Sequence, residues 1–210
     1  MNSPGFKCRQ LQTPEIMEII VASNNKKKRA EIQSILGALG IELVPPEQTI
    51  AVDVIEDADS FSGNARKKAE AFAKSNGKPA LADDSGLCVD ALNGAPGVYS
   101  ARFAGSDATD ADNNLKLLSA LQGNKERSAH FVCALHLAFP NATAPLTAQG
   151  KVDGSILHEL SGNRGFGYDP LFYCPELGKA FADSTPEEKA SVSHRGRALR
   201  SLAEKLKERG

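Results

Sequence analysis

The spacing of apolar residues changes early in this chain, and each change predicts a new element. Residues 18–22 read EIIVA, and a short run of consecutive apolar residues is typical of a buried strand. Between residues 23 and 40 the apolar positions recur every three or four residues, which predicts a helix that Gly40 ends. The same helical period recurs farther along, at about Ser60 to Asn76, Asp110 to Leu121 and Arg195 to Glu208.

Strand-like segments lie between these helices and become more frequent in the second half. They read IELV at 41–44, KPALADD at 78–84, GLCVDAL at 86–92, SAHFVCALHLAF at 128–139 and APLTAQGKV at 144–152. We interpret Ser85 and Gly86 as a turn between the second and third segments. Helices that alternate with strands, followed by clustered strands, predict an α/β fold around a mixed sheet flanked by helices.

Composition narrows the class of protein. A hydrophobic content of 41% over 210 residues is enough for a sizeable core. The formal net charge of -1 gives no global field that would draw the protein onto nucleic acid or an acidic membrane, so an anionic ligand needs a local basic cluster. Scattered cysteines without a C-x-x-C pair favour a reducing compartment, and they lie at Cys8, Cys88, Cys133 and Cys174.

The first residues read as separate from the domain. Residues 1–16 are polar and aperiodic, which predicts a flexible N-terminal extension, and Met17 could serve as an alternative start. Residues 17–210 are expected to form a single domain. The sequence shows neither the apolar core of a signal peptide nor a membrane-spanning stretch, so we expect a cytoplasmic location.

Two adjacent carboxylates, Asp83 and Asp84, end the apolar run KPALADD. Like charges repel and are costly to desolvate, so their place beside a buried strand needs compensation. A surface turn at Ser85 would leave both carboxylates hydrated. Alternatively, Mg²⁺ held by the pair together with Glu56 would neutralise them, because Mg²⁺ takes oxygen ligands and keeps waters and substrate phosphates in its shell.

A basic cluster opens the first predicted helix. It comprises Ser23, Asn24, Asn25, Lys26, Lys27, Lys28 and Arg29. The amino end of a helix carries free N–H groups and partial positive charge, so cations there need an anion such as a polyphosphate. A solvated or targeting patch would have the same composition, and the P-loop pattern is absent. On the next helix, Asn64 and Lys68 share one polar face, either as exposed residues or as ligand contacts.

A glycine-rich stretch at 162–170, GNRGFGYDP, surrounds Phe166. Glycine lets the backbone approach a ligand closely, and an exposed aromatic ring could stack on a base. The order G-x-x-G-x-G differs from the dinucleotide fingerprint, and an ordinary loop could have this composition. Farther on, Lys189, His194 and Arg195 gather before the last helix, whose predicted N-cap is Ser193.

Together these clusters supply the parts of a Mg²⁺–nucleoside triphosphate site: basic phosphate ligands, acidic metal ligands, an aromatic ring and donors for a base edge. Two other classes stay open. A phosphatase could form an aspartyl-phosphate on Asp83 or Asp84. A nucleotide- or RNA-binding module could use the lysines and Phe166, although near-neutral charge and paired carboxylates disfavour it.

Four motifs give the chain a resemblance to a known family. They read ADDSGL at 82–87, GAPGVYSARFAG at 94–105, GFGYDP at 165–170 and EEKASVSHRG at 187–196. In this order and spacing they resemble the inosine triphosphate pyrophosphatases, which hydrolyse aberrant purine nucleoside triphosphates such as ITP, dITP and XTP. The resemblance runs from about Glu18 to the last helix. Its S-x-N-x-x-K opening, Ser23 to Lys28, more often begins with Thr.

The resemblance implies a long mixed sheet, two lobes with a central cleft, and a homodimer. From the near-neutral charge and the lack of a membrane-spanning stretch we expect neither nucleic acid nor a membrane as a partner. It implies Mg²⁺-dependent hydrolysis to a monophosphate and pyrophosphate, which would cleanse the nucleotide pool. Asp84 would be the general base and, with Glu56, a metal ligand. The purine would stack on Phe166. The residues implied to bind substrate are Ser23, Asn24, Asn25, Lys26, Lys27, Lys28, Lys68, Ser85, Phe166, Gly167, Tyr168, Asp169, Lys189, His194 and Arg195.

Overall fold

A computed structural model describes residues 18–23, 25–38 and 40–209, and within them one mixed seven-stranded sheet is flanked by helices. The strands are β1 (Glu18–Val21), β2 (Glu42–Leu43), β3 (Ala80–Val89), β4 (Ser128–Ala138), β5 (Leu146–Ile156), β6 (Phe172–Cys174) and β7 (Lys179–Ala180). Their order is β2-β1-β3-β4-β5-β6-β7, with β1 parallel to both neighbours and every later pairing antiparallel. The predicted mixed sheet is confirmed. The predictions for residues 1–16, Met17 and Asn24 lie outside the described residues.

The predicted helices are present, with one addition. They are α1 (Lys26–Ala38), α2 (Phe61–Asn76), α3 (Asp110–Ala120), α4 (Pro186–Val192) and α5 (His194–Arg209). The pattern did not predict α4, although Thr185 and Glu188 form a capping box around Pro186 at its start. None of the described helices combines the length and the apolar character needed to cross a membrane.

The predicted turn at Ser85 and Gly86 is wrong, because both residues lie inside β3. Its ten residues pair continuously with β4, and Ser85 is opposite Cys133. Gly86 marks a close approach rather than a turn. A Cβ there would collide with the Ser100 hydroxyl and lie 2.5 Å from the carbonyl oxygen of Gly97. Glycine is therefore required where the short 3-10 helix Gly97–Arg102 crosses the strand.

Side chains alternate along β3, so its two aspartates point to opposite faces of the sheet. Asp83 shares a face with Leu81, which packs in the core cluster built with α1 and α5. Asp84 shares the other face with Ala82, which packs in the cluster built with α2. The negative charges of Asp83 and Asp84 therefore face different helices, α1 and α5 on one side of the sheet and α2 on the other.

The first turn of α5 lies directly on the sheet because β5 has a glycine beneath it. A Cβ on Gly150, which is buried, would collide with the His194 carbonyl oxygen and lie 2.7 Å from the Ala198 nitrogen. This approach brings His194 and Arg195 to the face of the sheet that carries Asp83.

We expect Gly150→Ala to lower stability by about 1–3 kcal/mol, because the methyl group meets rigid helix backbone. Gly37→Ala is the matched control. Gly37 is exposed in α1, and the nearest atom to its added Cβ, on the flexible Gln33 side chain, would be 3.5 Å away. That substitution should be neutral or stabilising by up to about 1 kcal/mol. Thermal denaturation of both variants checks the prediction, and equal melting temperatures would contradict it.

Candidate functional site

Asp83 is the centre of a buried cluster of charges, with an exposure of 1%. Lys28 Nζ lies 2.8 Å from its Oδ1, and Arg195 Nε lies 2.9 Å from its Oδ2. The Ser85 hydroxyl is 3.0 Å from Oδ1, and the thiol of Cys133 is 3.0 Å from Oδ2. Burial alone would raise the pKa of Asp83, but Arg195 and Lys28 hold it well below the usual range. Asp83 is therefore an ionised anchor for α1 and α5.

On the opposite face, Asp84 meets two residues of α2. Asn64 Nδ2 donates to Asp84 Oδ2 at 3.2 Å, and Lys68 Nζ lies 3.7 Å from Oδ1. Lys68 also lies 2.8 Å from Glu56 Oε2 and donates to the Asp83 carbonyl oxygen at 3.0 Å. The i, i+4 spacing of Asn64 and Lys68 thus places both against β3. Burial raises the pKa of Asp84 to about 6, against the opposing attraction of Lys68.

The interpretation that a single Mg²⁺ neutralises both aspartates is wrong. Asp83 is already paired with Lys28 and Arg195 on its own face of the sheet. Asp84 and Glu56 instead converge on Lys68 on the other side. The sequence could not assign the role of Asp83, and its four contacts show it to be structural.

A polar cavity of about 300 Å³ opens beside Asp84. Its lining includes Ser23, Asn25, Lys28, Glu56, Lys68, Asp84, Ser85 and Arg102. A pocket of this size, with cations on several sides, suits a compact polyanion. Arg102 was not predicted as a site residue, although it lies in the motif GAPGVYSARFAG. Its Nη2 donates to the Glu56 carbonyl oxygen at 3.2 Å, so it also holds the segment that carries Glu56.

The donor set of Glu56 and Asp84 fits Mg²⁺. Both groups are carboxylates that meet the same ammonium group, so their oxygens already face a common positive charge. Among the described residues, no group of three or more His, Cys, Asp or Glu side chains could hold a metal ion. A partial set of oxygen ligands is what Mg²⁺ uses when waters and substrate phosphates complete its shell.

The lysines at the start of α1 point in different directions, because successive residues on a helix are about 100° apart. Lys28 pairs with Asp83, and Lys27 Nζ reaches the Gly165 carbonyl oxygen at 3.4 Å. Lys26 lines a different groove beside β2, which adjoins the cavity of Asp84 at Ser23. Asn25 acts as a cap, because its Oδ1 accepts from the backbone N–H groups of Lys27 and Lys28 at 3.0 and 3.1 Å. Only one of the three lysines therefore lines the polar cavity.

A second, smaller cavity of about 110 Å³ adjoins the first on the other side of Ser85 and Lys28, which line both. Its lining includes Phe166, Gly167, Tyr168, Asp169, Lys189, His194 and Arg195. Lys189 Nζ lies 4.7 Å and Arg195 Cζ lies 5.6 Å from the centroid of the Phe166 ring. Residues that are far apart in sequence thus gather around one aromatic ring.

Glu31 connects the cations of this second cavity, and sequence reasoning missed it. Lys189 Nζ lies 2.7 Å from both Glu31 Oε1 and Asp169 Oδ2, and Arg195 Nη1 also bonds to Glu31. Burial opposes ionisation of Glu31, but Arg195 and Lys189 outweigh it and lower the pKa. The sequence did offer one signal for Glu31. It lies three residues after Lys28, and this i, i+3 spacing places Glu31 and Lys28 on one side of α1.

His194 is buried and neutral. Burial, reinforced by Arg195, holds its pKa well below the ordinary value. The imidazole stacks on Phe131 with ring centroids 4.7 Å apart, and its buried Nδ1 has no hydrogen-bond partner among the residues that the structure describes. The predicted N-cap is confirmed, since Ser193 Oγ accepts from the Gly196 N–H at 3.1 Å. His194 therefore offers the cavity a hydrogen-bonding group without a charge.

We expect Asp→Asn substitutions at Asp83 and Asp84 to change the stability of the protein in opposite directions. Asp83→Asn should destabilise the protein by about 3–5 kcal/mol, because it leaves buried cations without their partner. Asp57→Asn, at an exposed carboxylate that pairs with Lys67, is the control and should change the melting temperature little. The stabilising effect of Asp83 is present above its unfolded pKa and is lost as pH falls through the lower folded pKa.

In metal-free protein at pH 7.5, Asp84→Asn should instead be stabilising, by an amount of the order of 1–3 kcal/mol. The folded pKa of about 6 lies above the ordinary value of 3.8, so ionising Asp84 in the folded state opposes folding. Stability therefore falls as pH rises through this window, and the benefit of the variant should disappear towards pH 4. Denaturant unfolding across pH in the presence of a chelator measures this, and a destabilised variant at pH 7.5 would contradict it.

Comparisons with known proteins agree with one another. A sequence model described as the Ham1 family matches residues 19–205. The dITP/XTP pyrophosphatase of Desulforamulus reducens is 50% identical over 193 residues, which are 90% of this chain and 96% of that protein. The dITP/XTP pyrophosphatase of Desulfotalea psychrophila is 51% identical over 185 residues, 88% of this chain and 82% of that protein. The structure of a HAM1 protein from Coxiella burnetii, 45% identical, superposes with a TM-score of 0.83 and covers 91% of this chain and 99% of its own.

Proposed function

The chain belongs to the Ham1 family, and from this premise we propose that it is a nucleoside triphosphate pyrophosphatase that hydrolyses noncanonical purine nucleotides. The substrates would be ITP, dITP and XTP, and the products a nucleoside monophosphate and pyrophosphate. Relatives named dITP/XTP pyrophosphatase support this assignment. The observation that carries it is the pair of adjoining cavities, one lined by charged residues and one by Phe166, which share Lys28 and Ser85.

The polar cavity would hold the triphosphate. Lys28 and Lys68 reach it from two different helices, and Arg102 approaches from the 3-10 helix Gly97–Arg102. Cations on three sides can stabilise the charge that develops on a leaving pyrophosphate. Lys28 can do so only while Asp83 holds it, since the ion pair fixes the position of its ammonium group.

Asp84 would act as the general base on the attacking water. Asn64 occupies its Oδ2, which leaves Oδ1 as the atom that can accept a proton from water in the cavity. Glu56 and Asp84 would hold Mg²⁺, with phosphate oxygens and waters as the remaining ligands. When bound, the ion would offset the negative charge of the phosphates.

The second cavity would bind the purine. Its base would stack on Phe166, and the donors beside that ring, on Lys189 and Arg195, would read the 6-keto oxygen together with His194. Adenine presents an amino donor at that position, so the N–H groups of Lys189 and Arg195 that face the base would lack an acceptor, which is costly.

Three finer expectations follow from the same proposal. Selective hydrolysis of noncanonical purine nucleotides would cleanse the cellular nucleotide pool. The homodimer and the cytoplasmic location implied by the resemblance stay predictions. Light scattering of the purified protein tests whether it is a homodimer, and cell fractionation tests its location.

Hydrolysis of ITP should yield IMP and pyrophosphate without an IDP intermediate. The cations of the polar cavity would hold the β- and γ-phosphates as one leaving group, which places the α-phosphorus beside Asp84. Ion-exchange separation of products from excess ITP checks this. In ¹⁸O-labelled water the label should appear in IMP and not in pyrophosphate. Early IDP with orthophosphate, as from a phosphatase that forms an aspartyl-phosphate, would contradict the proposal.

Asp84→Asn should reduce ITP turnover by about 10²-fold or more, because an amide is a poor base and a poor metal ligand. Nucleotide binding should largely persist, since the lysines are unchanged. The control is Asp57→Asn, which alters an exposed carboxylate outside both cavities. Steady-state rates and ITP binding by calorimetry measure the two effects, and near-normal turnover in folded Asp84→Asn protein would remove Asp84 from the mechanism.

A further inference from the structure

The loop that carries Phe166 is held by α3 through both backbone groups of one glycine. Asp110 Oδ2 accepts from the Gly167 N–H at 2.8 Å. Asn114 Nδ2 donates to the Gly167 carbonyl oxygen, also at 2.8 Å. Gly167 has a φ of 61°, a left-handed conformation that favours glycine. A peptide segment held at both its donor and its acceptor can neither rotate nor translate freely, so α3 fixes the residue that follows Phe166.

The two contacts on α3 are themselves rigid. Asn114 is buried, and its amide also donates to the Asp110 carbonyl oxygen at 2.8 Å, which links the two residues one helical turn apart. The neighbouring Asn113 joins the helix to the preceding segment, since its Oδ1 accepts from the Ala104 N–H at 2.8 Å. A capping box formed by Thr109 and Asp112 fixes the helix start.

The Phe166 ring depends on such backbone anchors for its orientation. Its own backbone N–H donates to Asp169 Oδ2 at 2.8 Å, and the next residue but one, Tyr168, donates its hydroxyl to the Ser100 carbonyl oxygen at 2.9 Å. The ring faces the cations of Lys189 and Arg195, which are already engaged in ion pairs with carboxylates. A stacking surface that is fixed before binding saves the free energy of ordering it.

We propose that Asp110 and Asn114 are positioning residues that set the Phe166 ring for the purine base, an inference that rests on the proposed nucleotide substrate. Asn114 is outside the lining of the second cavity, whereas Asp110 borders that cavity and uses its Oδ2 to hold the Gly167 N–H. Losing either contact should weaken binding of the nucleoside portion and leave binding of the phosphates unchanged. The expected loss is about 3- to 10-fold for each residue, the size of one net hydrogen bond.

A fluorescence experiment tests the positioning without any substrate. The chain has no tryptophan, so Phe166→Trp introduces a single reporter into the loop. Adding Asp110→Ala or Asn114→Ala to this variant should lower the anisotropy of its emission and increase quenching by acrylamide. Asp110→Asn keeps an acceptor oxygen for Gly167 and should restore the parent values. Asp112→Ala removes one half of the capping box of the same helix without touching the loop, so it should lower the melting temperature and leave the emission unchanged.

Kinetics with Phe166 intact provide the second readout. Asp110→Ala and Asn114→Ala should raise KM for ITP while kcat and inhibition by imidodiphosphate, which lacks a base, stay near the parent values. If the parent enzyme does not hydrolyse ITP, the proposed function fails, and the fluorescence experiment still decides whether α3 positions the loop. If ITP is hydrolysed but emission and KM match the parent in both variants, or if Asp112→Ala reproduces their effects, the positioning role is overturned.

Discussion

The buried carboxylate of Asp83 is the interaction on which the arrangement of the site depends. It lies on the interior strand β3 and binds Lys28 of α1 and Arg195 of α5, so one anion fixes two helices on the same face of the sheet. Removing water from three charges is favourable only when their geometry is good and the remaining hydrogen-bonding groups are satisfied. Ser85 and Cys133 supply the additional contacts. Lys28 and Ser85, which line both cavities, are therefore held in place by a buried carboxylate that lines neither cavity.

Asp84 is also buried, but burial raises its pKa, whereas the pKa of Asp83 is lowered. Its neighbours, Asn64 and Lys68, compensate it only in part, and its pKa is raised to about 6. A group held in this way is unfavourable for folding and suited to proton transfer or metal binding, which is common at functional sites. The peptide geometry of a strand makes the contrast possible, because adjacent side chains enter different environments on opposite faces.

The second cavity is assembled from segments with different roles. Phe166 comes from a glycine-rich loop, Lys189 from α4 and Arg195 from α5. Glu31 joins the two cations from the side of α1, while Asp110 and Asn114 hold the loop from the side of α3. The loop that carries Phe166 is thus held by backbone hydrogen bonds, and the cations around its ring are held by carboxylates.

The sequence alone determined the elements and most of the candidate chemistry. Apolar periodicity located four of the helices and the mixed sheet, and the motifs pointed to Asp84, Lys68 and Phe166, because these signals are local in the chain. Local signals could not show that β3 continues through Ser85, since that continuity comes from pairing with β4. They also could not separate Asp83 from Asp84, single out Lys28 among three lysines, or find Glu31. Those assignments depend on which helix covers which face of the sheet, and only the packing of distant segments in the tertiary structure decides that.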